Sequence, residues 1–172
     1  MKKYKLTTET LQFAGRTLHR IKAVKDFDSI KAGEFGGWIE NEKNLSQDDN
    51  AWIYGDAMVF DNAKVYGDAN VSGNAEVSGN AEVSDYAKVY GNAAIKGDAI
   101  VHDAVDYIVF KNFWSSGRYF TWTSSNNKWS VGCFYGTGEE LIKKAYADSE
   151  KSGREYERVV RYVESILADE RK

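Results

Sequence analysis

A six-residue repeat runs without interruption through the middle of the chain. A β-branched residue recurs every six positions, and an alanine lies two positions before each one. The β-branched residues are Ile53, Val59, Val65, Val71, Val77, Val83, Val89, Ile95 and Val101. A short fixed period is typical of solenoids, in which successive units stack as coils. The repeat therefore predicts the architecture of this segment, whereas function has to be sought in the residues around it.

The repeat unit, V-x-G-[D/N]-A-x, predicts a coil with three flat sides. Alternation places the β-branched residue inward, and the alanine turns inward again after a bend. The third position is Gly or Asp, which tolerate the positive φ of a corner. These corner residues are Gly55, Gly67, Gly73, Gly79, Gly91 and Gly97, with Asp61, Asp85 and Asp103 as substitutes. A helix is excluded because a glycine every six residues would cost about 1 kcal/mol each.

Nine hexads on three sides predict a parallel β-helix of about three 18-residue coils over residues 51–106. Residues 18 positions apart should then lie above one another. This register predicts that Lys64 lies over Glu82 and that Asn62 lies over Asn80. Such ladders are structural, because amide side chains can bond along the stack.

The segments on either side of the repeat are expected to close its ends. A bare solenoid end exposes unpaired strand edges, so a cap is needed. Residues 1–50 predict an N-terminal β cap with strands over 3–8 and 18–24. The large side chains expected to close the lower end of the stack are Trp38, Ile39, Leu45 and Trp52.

Residues 107–172 predict a small α+β domain with the order βββαα. Because the cap and the repeat are also built from strands, the chain as a whole is expected to be mainly β. Aromatic-rich strands are expected over 107–114, 118–123 and 129–135. Two helices should follow, because Thr137 with Glu140 and Ser152 with Glu155 each fit a capping box.

Charge is unevenly distributed, although the net charge is only −3. Residues 38–106 have 4 basic and 13 acidic residues, whereas 107–136 have 3 basic residues and no acidic one. The acidic stem disfavours direct nucleic-acid binding. It could dock into a basic groove of a protein, or the corner Asp residues could serve backbone geometry alone.

The single cysteine, Cys133, fits a reducing compartment. The sequence has no apolar run long enough to cross a bilayer and does not start with a basic-then-apolar leader. We therefore expect a cytoplasmic protein with no membrane contact.

Motifs for catalysis are few. The P-loop, the G-x-S-x-G elbow and a metal-binding cysteine pair are missing, and a three-histidine zinc site is disfavoured because the chain has only His19 and His102. We therefore predict no metal and no bound cofactor. Acyltransferases with hexapeptide stems use a histidine as general base and acyl-CoA or acyl carrier protein as donor. His102, expected on the outer face of the last coil above Ser84 and Tyr66, is the candidate for that role.

Two motifs outside the regular repeat carry a resemblance to a known family. The first is Gly36-Gly37-Trp38-Ile39-Glu40 with Asn44-Leu45-Ser46-Gln47 and Ala51-Trp52-Ile53-Tyr54, and the second is Gly132-Cys133-Phe134-Tyr135-Gly136-Thr137 with Glu139-Glu140. Together with the repeat they resemble the YdcK-like hexapeptide-repeat proteins of phages and prophages. The resemblance implies a left-handed parallel β-helix and an origin in a mobile element. The family has no settled activity.

These observations favour a non-enzymatic protein-binding module that forms a homo-oligomer. A phage origin suggests inhibition of a bacterial defence effector, such as a CRISPR nuclease. The predicted contact residues are Trp114, Arg118, Tyr119, Trp122 and Trp129, with Asp56, Asp61, Asp68 and Asp85 as acidic contacts. Acyl transfer by His102 is one alternative function. Stacking of single-stranded nucleic acid on the aromatic C-terminal sheet is the other.

Overall fold

An antiparallel hairpin at the N-terminus joins the first rung of the β-helix in the computed structural model, which describes residues 1–170. Its strands are Tyr4–Phe13 (β1) and Arg16–Ala23 (β2), and its tip at Ala14 and Gly15 has positive φ. The next strand, Phe35–Ile39 (β3), pairs antiparallel with β2. The other edge of β3 pairs in parallel with the following coil. The hairpin therefore extends one side of the β-helix as a continuous sheet.

Nine two-residue strands form the stack, and each ends on the β-branched residue of its hexad. They are Trp52–Ile53 (β4), Met58–Val59 (β5), Lys64–Val65 (β6), Asn70–Val71 (β7), Glu76–Val77 (β8), Glu82–Val83 (β9), Lys88–Val89 (β10), Ala94–Ile95 (β11) and Ile100–Val101 (β12). Together with β3, they pair in parallel on three sides, in the orders β3-β5-β8-β11, β4-β7-β10 and β6-β9-β12. The predicted parallel coils are confirmed.

The predicted register is also confirmed. Lys64 pairs with Glu82 across neighbouring strands, and their Nζ and Oε1 atoms are 3.7 Å apart. The Asn62 amide donates to Asn80 Oδ1 at 3.2 Å. The inward β-branched residues and alanines are all buried. Each buried Val or Ile contributes roughly 1.5–3 kcal/mol relative to an exposed one, so the stack is its own hydrophobic core.

The stack has nearly four coils rather than three, because two rungs precede the regular repeat. Ile39 aligns with Val59, and Leu45 forms a parallel bridge with Val65. Both pairs are 20 positions apart instead of 18, so the first coil contains two extra residues. These rungs also lack the V-x-G-x-A-x pattern, which is why the sequence did not reveal them.

Side chains from the N-terminal segment bind the open carbonyl groups at the lower end of the stack. The buried Lys3 ammonium donates to the carbonyl oxygens of Asp49 and Ala51, both at 2.8 Å. The Tyr4 hydroxyl donates to Leu45 O at 2.8 Å. Burial lowers the pKa of the Lys3 ammonium, even though the Asp49 carboxylate beside it acts in the opposite direction. The lower end is therefore closed by polar contacts as well as by apolar packing.

The large side chains expected at this end divide between two clusters. Ile39, Leu45 and Trp52 are part of the core of the stack, as predicted. Trp38 instead packs on the outside of the β-helix against Leu18 and Phe60. Its position follows from strand alternation, because Ile39 next to it points inward.

Four strands and two helices follow the stack. The strands are Tyr107–Lys111 (β13), Tyr119–Thr123 (β14), Lys128–Val131 (β15) and Phe134–Gly136 (β16), and the helices are Gly138–Asp148 (α1) and Glu150–Glu170 (α2). The strands form an antiparallel meander in chain order. The prediction of three strands was wrong, because a turn with Gly132 at φ +58° divides the third one. Among residues 1–170, no helix is long and apolar enough to cross a membrane.

One of the two predicted capping boxes is present. Thr137 caps α1, and its side chain and that of Glu140 bond reciprocally to each other's backbone N–H. The second box was wrong, because α2 begins at Glu150 and Ser152 lies inside its first turn. The Ser152 N–H instead donates to Ser149 Oγ at 3.1 Å.

The C-terminal sheet lies between the helices and the last coil. Its apolar face packs on α1 and α2 through Ile108, Phe110, Phe120, Trp122, Trp129 and Val131. Its other face binds an open backbone group on each side of the last coil. Thr121 Oγ1 accepts from Ala94 N at 2.9 Å, and Ser125, in the β14–β15 turn, accepts from Ile100 N at 2.8 Å. The Tyr107 hydroxyl donates to Lys88 O at 2.9 Å.

The predicted corners are confirmed at eight of nine positions. The six glycines, Asp61 and Asp85 all have positive φ. Asp103 is the exception, with φ −144°, and it caps a short 3₁₀ helix over Ala104–Asp106. The stack therefore ends at this residue instead of turning another corner.

Removal of the Lys3 ammonium should destabilise the protein strongly. We expect Lys3→Met to lower the free energy of unfolding by about 2–4 kcal/mol, because one buried and one partly buried carbonyl group lose their donor. Lys2→Met is the matched control and should cost less than about 1 kcal/mol, since Lys2 forms only an exposed pair with Glu42. Urea unfolding followed by tryptophan fluorescence measures both. Equal effects of the two substitutions would contradict the capping role.

Two glycines separate backbone strain from steric conflict at the corners. Both Gly79 and Gly91 have φ near +70°, but a Cβ on Gly79 would lie 2.8 Å from the Gly97 backbone, whereas nothing lies within 4 Å of one on Gly91. Gly91→Ala should cost about 1–2 kcal/mol from strain alone. Gly79→Ala should cost about 1–3 kcal/mol more because the coils are forced apart. Thermal unfolding measures the melting temperature of both variants. Equal melting temperatures would contradict this difference.

Candidate functional site

A histidine contacts a carboxylate and a hydroxyl on the outside of the stack. His102 Nδ1 lies 3.0 Å from Asp85 Oδ2 and 2.6 Å from Ser84 Oγ. The two partners also approach each other, with 3.4 Å between Ser84 Oγ and Asp85 Oδ2. The three side chains form one polar cluster, which we call the His102 cluster.

The coil register builds this cluster. Ser84 and His102 are 18 positions apart and directly follow the aligned residues Val83 and Val101. Asp85 is the next corner residue, with φ +54°. His102 is also held through its backbone, because its N–H donates to Asp106 Oδ2 at 2.8 Å. A rigid scaffold therefore fixes the orientation of the imidazole.

The contacts of the imidazole place a proton on Nδ1, where it can be donated to Asp85. A carboxylate beside one ring nitrogen stabilises the tautomer that donates to it. The lone pair is then on Nε2, which no hydrogen bond within residues 1–170 engages. The side chains of His102 and Asp85 are 52% and 64% exposed, so a substrate can reach them. Such a histidine can accept a proton from a hydroxyl or an amine.

The cluster is not a serine-nucleophile triad. In a triad the serine and the carboxylate bind opposite nitrogens of the imidazole. Here Ser84 and Asp85 both approach Nδ1. Ser84 therefore helps to orient the ring instead of acting as a nucleophile.

Two of the predicted contact residues lie in the hydrophobic core. Trp122 is 3% exposed and its indole N–H donates to Asn127 at 2.8 Å, and Trp129 is 2% exposed. Their side chains belong to the sheet face that α1 and α2 cover, so they offer no surface to a partner. The sequence overestimated the exposed aromatic area because it did not show that α1 and α2 cover this face of the sheet.

The other three predicted contact residues lie near the end of the sheet. Trp114 is partly buried against Phe120 and Tyr156. Its indole Nε1 is buried without a hydrogen-bond partner. Arg118 is exposed and Tyr119 is partly exposed. The loop between β13 and β14 also holds Phe113, which is 89% exposed and was not among the predicted contacts.

The four predicted acidic contacts are spread over three corners of the coil. Asp56 follows β4, Asp61 follows β5, and Asp68 and Asp85 follow strands of the third side. Asp61 pairs with Arg16 and accepts from the Gly79 N–H at 3.1 Å. Asp68 accepts from the Asn50 amide at 2.8 Å. The structure does not bring these carboxylates together into one patch.

The position of the C-terminal sheet also limits the surface on which nucleic-acid bases could stack. The helices lie on one face of the sheet and the last coil lies on the other. Bases need an open aromatic face for stacking, and the helices cover the face that holds Phe120, Trp122 and Trp129. Within residues 1–170, no group of three or more His, Cys, Asp or Glu side chains is placed to hold a metal ion.

One sequence signal pointed to the His102 cluster without revealing its contacts. Asp stands at the Gly position of the repeat at 61, 85 and 103, and each of these carboxylates has a partner. Asp61 contacts Arg16, Asp85 contacts His102, and Asp103 accepts from the Ala104 N–H. A departure from glycine at a corner therefore marks a carboxylate with a partner.

Comparison with known proteins gives one partial match. No protein-family model matches the chain. A segment of 62 residues is 39% identical to a protein named "Uncharacterized acetyltransferase YdcK" from Escherichia coli (strain K12). This chain has the hexapeptide-repeat fold. The match covers 31% of the chain and only 19% of the relative, so it does not extend to the whole of that protein.

Truncation of a buried indole should strongly destabilise the C-terminal domain. We expect Trp122→Ala to cost about 3–5 kcal/mol, because it leaves a cavity in the core and removes the bond to Asn127. Phe113→Ala is the matched control and should cost less than about 0.5 kcal/mol, since the side chain is exposed. Chemical denaturation of both variants checks this. A fully stable Trp122→Ala protein would contradict the placement of this residue.

Proposed function

We propose that this protein is an acyltransferase of the hexapeptide-repeat type, with His102 as the general base. The observation that carries the proposal is the His102 imidazole, whose Nδ1 is held by Asp85 and Ser84 while Nε2 is left open to solvent. The partial match to a protein named as an acetyltransferase supports it. That match covers only 19% of the relative, so the acyl acceptor and the acyl donor are proposed here from the chemistry of the site.

In the proposed reaction, an acceptor hydroxyl or amine attacks the thioester carbonyl of an acyl-CoA. His102 Nε2 removes the acceptor proton as the new C–O or C–N bond forms. The C–S bond breaks, and the proton passes to the CoA thiolate. The Asp85 carboxylate stabilises the imidazolium that exists between these two proton transfers, as a carboxylate next to a catalytic histidine does.

Loss of the imidazole should abolish turnover. We expect His102→Ala to lower acetyl-CoA-dependent acylation of a panel of amines and alcohols by about 10²–10⁴-fold, the usual contribution of a general base. His19→Ala is the control and should keep full activity, because His19 lies in β2, outside the His102 cluster. Thiol release measures turnover, and calorimetric titration with acetyl-CoA measures binding. Saturable binding should persist in the variant.

Two results would contradict the proposed acyl transfer. The absence of saturable acetyl-CoA binding by the wild-type protein would overturn the proposal. Equal rates of thiol release by wild-type protein and His102→Ala would overturn the role of His102.

A second proposed function is protein binding, by a phage or prophage protein that acts as a homo-oligomer in the cytoplasm of a bacterial host. One partner class that fits such an origin is a defence effector such as a CRISPR nuclease. The observation that favours protein binding is the exposed loop between β13 and β14, where Phe113 and Arg118 extend into solvent beside an open sheet edge. Exposed aromatic and arginine side chains are typical of interface centres.

A further inference from the structure

The C-terminal sheet has an open edge at β13. In the sheet order β13-β14-β15-β16, β13 pairs with one neighbour only. Open edges can accept an extended segment of another chain. Natural proteins normally protect such edges with prolines, bulges, charged residues or a covering element, and the charged residue of β13 is Lys111 at its end. The register of β13 with β14 has no shift, and the chain contains no proline.

The register shows which backbone groups point away from β14. Asn112 N donates to Arg118 O at 2.7 Å, and Ser124 N donates to Asp106 O at 2.9 Å. Hydrogen-bonded pairs alternate with non-bonded pairs in an antiparallel ladder. Ile108 and Phe110 therefore bond to β14, whereas Tyr107, Val109 and Lys111 direct their N–H and C=O groups outward. No other hydrogen bond within residues 1–170 engages these outward groups.

A groove runs along this edge. Its volume is about 430 Å³, and it lies between β13 and the corner of the neighbouring coil. The residues that line it are Tyr90, Gly91, Asn92, Ala104, Tyr107, Ile108, Val109 and Tyr119. Most of this lining is apolar or aromatic, so the groove can accept alternate apolar side chains of an added strand.

A second, polar groove of about 220 Å³ continues from the first, because Asn92 and Tyr119 line both. Arg118 and Lys96 supply its positive charge, and Glu76 is the acidic residue in its lining. Lys96 lies 3.9 Å from Glu76, whereas no hydrogen bond or ion pair within residues 1–170 involves the Arg118 guanidinium. Residues 107–136 contain no acidic residue. An occupant with a carboxylate at this end would therefore gain a charge-assisted contact with Arg118.

We propose that β13 binds an extended, acidic peptide segment of a protein partner as a fifth strand of the sheet. The peptide backbone bonds to the outward groups of Tyr107, Val109 and Lys111. Alternate apolar side chains enter the groove beside Tyr90, and a carboxylate contacts Arg118. The inference rests on the second proposed function and names its surface. It does not depend on acyl transfer by the His102 cluster.

A single substitution removes the central backbone donor without touching the β14 ladder. Val109→Pro deletes an N–H that points outward, and proline is tolerated on edge strands. Val109→Ala is the matched control, because it shortens the side chain and keeps the N–H. Arg118→Gln tests the charge contact. Circular dichroism establishes that each variant is folded.

The probe is a yeast-displayed library of random nine-residue peptides selected on the full chain. We expect enriched sequences in which apolar and polar residues alternate and Asp or Glu lies near one end. In fluorescence anisotropy, Val109→Pro should weaken binding of the enriched peptides more than tenfold, while Val109→Ala changes it less than about threefold. Arg118→Gln should weaken binding about threefold, and this difference should shrink in high salt.

The possible results distinguish failure of the β13 site from failure of the protein-binding function. Peptides that bind Val109→Pro as tightly as the wild type would overturn the β13 site and leave protein binding in place. A library that yields no binder would overturn both. Sedimentation that shows a wild-type dimer converted to a monomer by Val109→Pro would make a second copy the occupant and overturn the partner peptide. If Val109→Pro does not fold, hydrogen exchange of the wild-type protein provides the test. The Val109 and Lys111 amides should become protected when the peptide is added. Unchanged exchange at these amides would overturn the site.

Discussion

The structure depends on binding the open backbone groups at both ends of a stack of very short strands. Each strand has only two residues, so a rung gains its stability from the rungs above and below it. The first and last coils lack one of these neighbours, and their N–H and C=O groups would be left unpaired. Lys3 and Tyr4 bind such groups at one end, and Thr121, Ser125 and Tyr107 do so at the other. The terminal segments are therefore required for the stack to exist as an isolated body.

The repeat predicted the middle of the fold because its rule is local. A β-branched residue turns inward, a glycine turns the corner, and the partner lies 18 positions away, as Val59 and Val77 show. The ends obey no local rule. Lys3 contacts residues more than 40 positions away, and a lysine in that position has the sequence appearance of a surface residue. The coil count was low for a similar reason, since Ile39 and Leu45 lie on rungs with a different spacing.

The candidate site was only partly predictable. His102 was identified together with its neighbour Ser84, because both follow from the coil register. The contact with Asp85 was not foreseen, since a corner Asp can equally serve backbone geometry. Trp122 and Trp129 were assigned to the surface because composition alone cannot tell how many faces of a sheet are covered. An antiparallel meander follows from the turns between the strands, but the sequence does not show whether another element covers the edge at β13.

The upper cap also constrains how the length of the stem can change. Each side of the last coil is bound by a different residue of the C-terminal domain, namely Thr121, Ser125 and Tyr107. The domain can therefore bind the triangular end of the stack in only one rotational orientation. Insertion or loss of a whole coil of 18 residues would present the same triangle again, raised or lowered by one rung of about 4.8 Å. Insertion of a single hexad would instead rotate the domain by one third of a turn relative to the N-terminal hairpin. Stem length in such proteins is thus expected to vary in whole coils, which changes the separation of the two ends while preserving their mutual orientation.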